Sequence, residues 1–468
     1  MKGAAGLGAG LAISPFLQME AAAQASGGEA PAIAGADVGP FAPSSAMGRY
    51  FHVFYPASDK PGELQIAVNY TLWMPDNLQT VRGVIVHQHG AGREAAHFGA
   101  YSAYDLHWQA LAKKWDCVLL GPSYRVLNDA IDLTPGGAEL WFDPRHGSNA
   151  TFLRALDEFA KQSGHSEISA VPWCLWGHSG GGIWSNTMST LYPTRVLAAY
   201  LRSGTALMFS QRKEFPQPEV PEGVYGIPTI TNAGILEQKG VPWSGSIATF
   251  QDYRGRGAPI AWAPDPRTAH FCGDARYLAI PFFDACLAMR LPEKGAKDQT
   301  LKPVDSSQAW LAAYPGDSAA PAAEFKGDPK QAAWLPNAAV AQAWMQYVKT
   351  GTVSDASIPP APVNVRVTAR DQGFEIAWDA EADFAAGLGG FVVLRDGHGV
   401  GRVPQKAPDE VFGRPLFQGL SFHDTPTDPL PAMVFTDTSA PAGAKHSYTV
   451  VALSSAGVPS MPSAAASA

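Results

Sequence analysis

At 468 residues the chain is longer than the roughly 250–300 residues at which a single core stops growing, so two domains are expected. Apolar content of 46% with 16% charged residues excludes a disordered chain. A net charge of -8, without a lysine or arginine block to neutralise a phosphate backbone, excludes nucleic acid as a partner.

The first 25 residues, "MKGAAGLGAGLAISPFLQMEAAAQA", carry Lys2, a small-residue apolar run and Ala23-Gln24-Ala25 as an A-x-A cleavage signal. They predict an export signal and a secreted or periplasmic protein, against the alternative of a buried amino-terminal helix. The glycine-rich run is similar to twin-arginine signals, although no arginine pair precedes Lys2. No later stretch reaches the 18 or so apolar residues of a membrane span, so the mature chain is expected to have no integral membrane segment.

After a small-residue linker (26–49), "YFHVFYPA" (50–57) and "LQIAVNYTLWMP" (64–75) alternate as antiparallel strands would. "GVIVHQHGAG" (83–92) has the unbroken apolar core of a parallel strand covered on both faces. Helical spacing follows over 101–114, then a buried strand "WDCVLLG" (115–121), a helix after Ser148 with that serine as its cap, and a strand "VPWCLWG" (171–177). A helix near 182–192, strands at 195–203, 228–234 and 259–264, and a helix over 274–291 complete the repeat. Alternating strands and helices predict an α/β fold with a mostly parallel sheet over 50–352. In its last stretch, "AAVAQAWMQYVKTG" is expected to brace the domain junction.

A proline-rich linker (353–360) then opens a region of short alternating segments, "FEIAWDA", "GFVVLRDG" and "HSYTVVALSSAG". This is the pattern of a β-sandwich of about 100 residues. With Trp378 as core tryptophan and Tyr448 as corner tyrosine, residues 361–463 resemble a fibronectin type III domain. Such a module is expected to sit as a semi-rigid neighbour, and a chain ending near 352 to keep its small-substrate turnover.

Four cysteines fall at 117, 174, 272 and 286, with neither CxxC nor a Cys/His cluster at metal spacing. Free buried thiols are expected, with no metal and no cofactor.

Chemistry concentrates in "WCLWGHSGGGIW" (173–184), where Gly177-His178-Ser179-Gly180-Gly181 fits G-x-S-x-G. With 47 glycines in the chain the pattern alone is weak. Its place between an apolar strand and a helix strengthens it, because a sharp turn there would expose the hydroxyl of Ser179 and need glycines at 177 and 181. A serine nucleophile needs a base, an orienting acid and donors for an oxyanion. His270 lies in a loop between the last strand and its helix. His87, His97, His107, His146 and His165 precede Ser179, His178 cannot curl back onto its neighbour, and His398, His423 and His446 fall in the other domain. A solvent-exposed loop histidine remains the alternative for His270. For the acid, Glu237 follows "IPTITNAG", with a solvated loop carboxylate as its alternative reading and Asp252 or Asp265 as the substitute.

With Ser179, Glu237 and His270 in this order, residues 50–292 resemble the α/β-hydrolase superfamily of serine esterases, lipases and related peptidases. The resemblance implies an α/β-hydrolase fold, a Ser-His-Glu triad with glutamate for the usual aspartate, and no cofactor. It also places His89-Gly90-Ala91-Gly92 in the loop that supplies one oxyanion donor, making the backbone N–H groups of Ala91 and Gly180 the candidates. His89 itself is expected to be structural. The motifs "QHGAG" and "GHSGGG" with the export signal look like secreted polyesterases and carbohydrate esterases. The implied activity is cleavage of a carboxylic ester through an acyl-enzyme, with polyesters or carbohydrate-linked esters as candidate substrates. A serine peptidase of the same fold and an inactive binding or adhesion protein are the alternatives. "LWFDPRHGSN" (140–149), Trp184 and "VPWSGS" (241–246) could line the pocket or simply pack.

Overall fold

Residues 47–92, 98–126, 138–209, 219–296, 300–406, 410–440 and 445–468 are described in the computed structural model. The predicted export signal and nearly all of the linker after it lie outside them.

An eight-stranded sheet organises the first domain. Its strands are β1 (Gly48–Tyr55), β2 (Val68–Pro75), β3 (Gly83–Gln88), β4 (Cys117–Tyr124), β5 (Trp173–His178), β6 (Val196–Arg202), β7 (Thr229–Gly234) and β8 (Ile260–Asp265), in the order β1-β2-β4-β3-β5-β6-β7-β8. β2 runs antiparallel to both β1 and β4, whereas β3 to β8 are parallel to one another. Every residue of β3 to β8 is buried, as a sheet covered on both faces requires.

The two-residue period of the strands sorts their side chains between two cores. Val84, Val86, Val118, Leu120 and Leu175 pack on one side with helices α2 (Ser148–Ser163) and α3 (Gly180–Leu191). Ile85, Leu119, Cys174 and Trp176 pack on the other with helices α1 (Leu106–Lys114), α5 (Arg276–Arg290) and α6 (Ala338–Thr350). A further helix, α4 (Val241–Gly255), follows β7. This order, with a sharp turn after β5, is the α/β-hydrolase fold.

Two local expectations are corrected. The helix predicted over 101–114 is a short 3-10 turn (Gly99–Tyr104) followed by α1. Asp105 separates them, being extended and accepting from the N–H groups of His107 and Trp108 as an N-cap. Ser148 does not cap α2. Gly147, at φ 98°, takes that place, and Ser148 Oγ instead donates to Trp141 O (2.6 Å) and accepts from Trp184 Nε1 (3.1 Å).

The stretch without a clear sequence parallel forms a small antiparallel sheet of β9 (Trp310–Ala313), β10 (Ser318–Pro321) and β11 (Ala333–Leu335), then α6. This last helix, α6, covers β8, and its Gln346 Nε2 donates to Ser354 Oγ (2.6 Å) in the linker that leads to the carboxyl-terminal region. Trp344 Nε1 donates to Trp262 O (2.9 Å) and Tyr347 Oη to Asp265 Oδ2 (3.0 Å).

The carboxyl-terminal region is a sandwich of two three-stranded sheets. β12 (Val363–Arg370), β13 (Gly373–Asp379) and β16 (Val434–Asp437) form one, and β15 (His398–Val403), β14 (Leu388–Arg395) and β17 (Tyr448–Ser454) the other. Trp378 is fully buried in the core with its ring 5.1 Å from that of Phe391, and the Tyr448 hydroxyl donates to Asp437 (2.9 Å).

Between β15 and β16 the chain leaves the sandwich and packs into the hydrolase domain. Gln418 Oε1 accepts from Leu106 N (2.9 Å) and its Nε2 donates to Tyr104 O (2.8 Å). Arg276, on α5, joins Asp424 (2.8 Å) to Asp105 (2.7 Å), all three side chains being at most 2% exposed.

Candidate active site

Ser179 sits in the turn from β5 into α3 at φ 53° and ψ -120°, a conformation that costs a non-glycine residue energy and persists where the surroundings enforce it. Its N–H donates to Arg202 O (2.8 Å), and its carbonyl accepts from Gly182 and Ile183. A β-carbon on Gly177 would lie 2.1 Å from Gly181 O, and one on Gly181 would lie 2.4 Å from Gln88 O. Only glycine fits at either position. Contrary to the exposure expected of such a turn, the Ser179 hydroxyl is buried, and it makes no hydrogen bond to a described residue. Such a group lowers stability, and at a strained turn it signals a reserved function.

His270, in the loop from β8 to α5, and Glu237, just beyond β7, are 2% and 3% exposed. His270 Nδ1 donates to Glu237 Oε2 at 2.7 Å. The other carboxylate oxygen accepts from the Ser203 hydroxyl and from Gly234 N (3.1 Å), with Arg202 Nη1 at 3.8 Å. Burial pushes the Glu237 carboxyl up, yet the His270 charge and hydrogen bond, with Arg202 and Ser203, hold it below the usual range. Both substitute acids are engaged elsewhere. Asp265 accepts from Arg267 N and Tyr347, and exposed Asp252 on α4 pairs with Arg256 just past the helix end.

The remaining candidates meet at the start of α3. A β-carbon on Gly180 would stand 3.1 Å from Ala91 N and 3.3 Å from Phe142, so the Ala91 backbone lies against the amino end of the helix. A helix amino terminus favours developing negative charge. Of the aromatics considered for the pocket, Phe142 is thus beside the turn. Trp184 is buried against Phe152, and Trp243 packs on Trp262. His89 bonds the neighbouring carbonyl of Gly90 (3.1 Å).

The sequence assigns His423 to the other domain, but the structure brings it to this site. His423 reaches in from the segment between β15 and β16, its Nδ1 only 2.6 Å from His178 Nδ1 and its ring 4.1 Å from His89. His178 Nε2 donates in turn to the backbone carbonyl of His270 (2.6 Å). The signal that marks this segment is the long aperiodic run 404–433 interrupting a sandwich pattern.

All four cysteines are buried free thiols, and burial raises Cys117 to about 12, which keeps it un-ionised at neutral pH. Among the described residues no group of three or more His, Cys, Asp or Glu is placed to hold a metal ion, and no helix is long and apolar enough to cross a membrane.

No family model matches the sequence, and no curated protein does. Solved structures similar to the chain are mostly esterases and related hydrolases. One is a poly(3-hydroxybutyrate) depolymerase from Bordetella parapertussis, 15% identical over 52% of this chain and 87% of that one, with a TM-score of 0.35. An S-formylglutathione hydrolase from Agrobacterium tumefaciens is 15% identical over 53% and 96%, with a TM-score of 0.36. A fibronectin-III-like protein from Clostridium thermocellum is 22% identical over 24% of this chain and 92% of its own, with a TM-score of 0.14.

Proposed function

We propose that the protein is an exported serine hydrolase that cleaves a carboxylic ester through an acyl-enzyme. Ser179 is the nucleophile, His270 the general base and Glu237 the acid that orients it. The observation that carries this reading is the buried 2.7 Å pair of His270 Nδ1 and Glu237 Oε2, together with a strained serine whose buried hydroxyl makes no hydrogen bond to a described residue.

With Nδ1 donating to Glu237, neutral His270 carries its lone pair on Nε2, the nitrogen that takes the Ser179 proton. Attack by Oγ on the ester carbonyl places negative charge on the carbonyl oxygen, which the N–H groups of Ala91 and Gly180 stabilise together with the α3 dipole. His270 then returns the proton to the departing alcohol. Water repeats the sequence on the acyl-enzyme and releases the carboxylic acid. Glu237, ionised, offsets the charge on His270 in both halves.

Labelling with a fluorophosphonate, followed by a panel of p-nitrophenyl esters, polyesters and carbohydrate-linked esters, tests mechanism and substrate together. Labelling of the wild type and none of Ser179→Ala is the expected result. Equal labelling of both would remove Ser179 as nucleophile.

A further inference from the structure

We propose that His423, supplied by the carboxyl-terminal module, is a positioning residue for His270 that acts by fixing the tautomer of His178. The inference rests on the reading of Ser179, His270 and Glu237 as a catalytic triad.

The argument is one of proton count. His178 Nε2 faces the carbonyl oxygen of His270 at 2.6 Å, and a carbonyl only accepts, so Nε2 carries a proton. His178 Nδ1 faces His423 Nδ1 at 2.6 Å, and two ring nitrogens at that separation share one proton. Burial, with the neighbouring rings and, for His178, Arg202 adding to it, pushes both histidines well below the usual range, so each is neutral. A neutral His178 protonated at Nε2 has its lone pair at Nδ1. The shared proton therefore belongs to His423 Nδ1. His423 does for His178 what Glu237 does for His270: it selects the tautomer whose donor points where the site needs it. In the other tautomer, His178 would turn a lone pair toward the His270 carbonyl and repel the loop that carries the base.

The surroundings hold His423 for this task. A β-carbon at Gly90 would fall 2.3 Å from His423 Nδ1, so the ring enters only because residue 90 is glycine. Next in sequence, Asp424 is locked by Arg276 (2.8 Å) and accepts from His87 Nε2 (3.3 Å). The ring is fully buried and close to His89, His178 and Phe422.

Two substitutions and one spectrum test the inference. His423→Ala removes the donor, and kcat on p-nitrophenyl acetate is expected to fall about tenfold to a hundredfold with KM changed less than about twofold, as for lost supports of a reacting group. In His423→Asn the side-chain amide N–H takes the place of Nδ1–H, restoring kcat to within about threefold of wild type. Unchanged kcat in His423→Ala, or His423→Asn as slow as the alanine variant, would overturn the proposal. Nitrogen-15 histidine spectra of the wild-type protein give a readout independent of turnover. His178 is expected as the Nε2–H tautomer and His423 as Nδ1–H, and the reverse assignment would overturn the proposal even if His423→Ala did not fold. Failure of the wild type to react with a fluorophosphonate would instead count against the triad reading, leaving the tautomer result to stand by itself.

Discussion

Glu237 and His270 lie 33 residues apart in sequence and meet at 2.7 Å, with the carboxylate held on its far side by Ser203, Gly234 and Arg202. An amide at 237 would keep the shape but accept less strongly and present a donor to Nδ1, favouring the wrong tautomer of the base. Glu237→Gln is expected to lower kcat at least about a hundredfold. Asp252→Asn and Asp265→Asn should each stay within about threefold, because their carboxylates serve Arg256 and Tyr347. A ranking with Asp265→Asn slowest would move the acid to that position.

Ser179 predicts opposite effects on activity and stability. Its hydroxyl is buried without a described partner, so Ser179→Ala removes an unsatisfied polar group and should leave stability equal to wild type or about 1 kcal/mol higher. Turnover of a short ester should fall at least about a thousandfold. Calorimetry and steady-state kinetics on one preparation read both. A strongly destabilised variant would mark the hydroxyl as structural.

Much of this site is written in local sequence. Gly177-x-Ser179-x-Gly181 between an apolar strand and a helix specifies the turn, since the close approach of Gly177 to Gly181 O leaves no other residue possible there. The unbroken apolar runs of β3 to β5 announce buried parallel strands, and His270 follows from its loop after β8. His423 was hidden because its partner His178 lies 245 residues away, in a stretch whose fold class suggested a separate module. Long-range pairing of that kind leaves no period in the sequence. Ser148 failed as a cap for a related reason: serine favours that position locally, but tertiary bonds to Trp141 and Trp184 claim its hydroxyl.

Three buried histidines predict how stability depends on pH. Burial, aided by Arg276, pushes His107 down to about 4, and burial with the neighbouring histidines, plus Arg202 for His178, takes His178 and His423 well below the usual range. Below about pH 6.5 the unfolded chain protonates these rings while the folded chain does not, so stability declines as pH falls, by up to about 1.4 kcal/mol per pH unit for each ring. The contribution is intact above that pH. Glu237 and Asp424, both depressed in the folded state, extend the loss below about pH 4.5. Thermal midpoints should therefore drop steadily between pH 6.5 and 5, with a shallower slope in His423→Asn, which cannot titrate at that position. A flat profile over this interval would show that the rings charge without cost in the folded protein.

The pairing of Arg276 with Asp424 decides what the carboxyl-terminal module does when it is removed. Arg276 is fully buried and divides its guanidinium between Asp105 and Asp424, two acids from different domains. Deleting one partner of a buried ion pair costs about 3–5 kcal/mol, because the remaining charge is left desolvated and unneutralised. A chain ending at residue 352 loses Asp424, the Gln418 bridge to Leu106 and Tyr104, and His423 beside His178 in a single step. It is expected to be insoluble or to fold without measurable turnover even on a small soluble ester, the opposite of what a tethered neighbour would give. In the full-length chain, Asp424→Asn isolates the charge effect and should lower stability by about 3 kcal/mol or more, measured by urea unfolding. Should the shortened chain fold and turn over p-nitrophenyl acetate at the wild-type rate, the module would be dispensable to the reaction, and its contribution would have to lie with polymeric substrates.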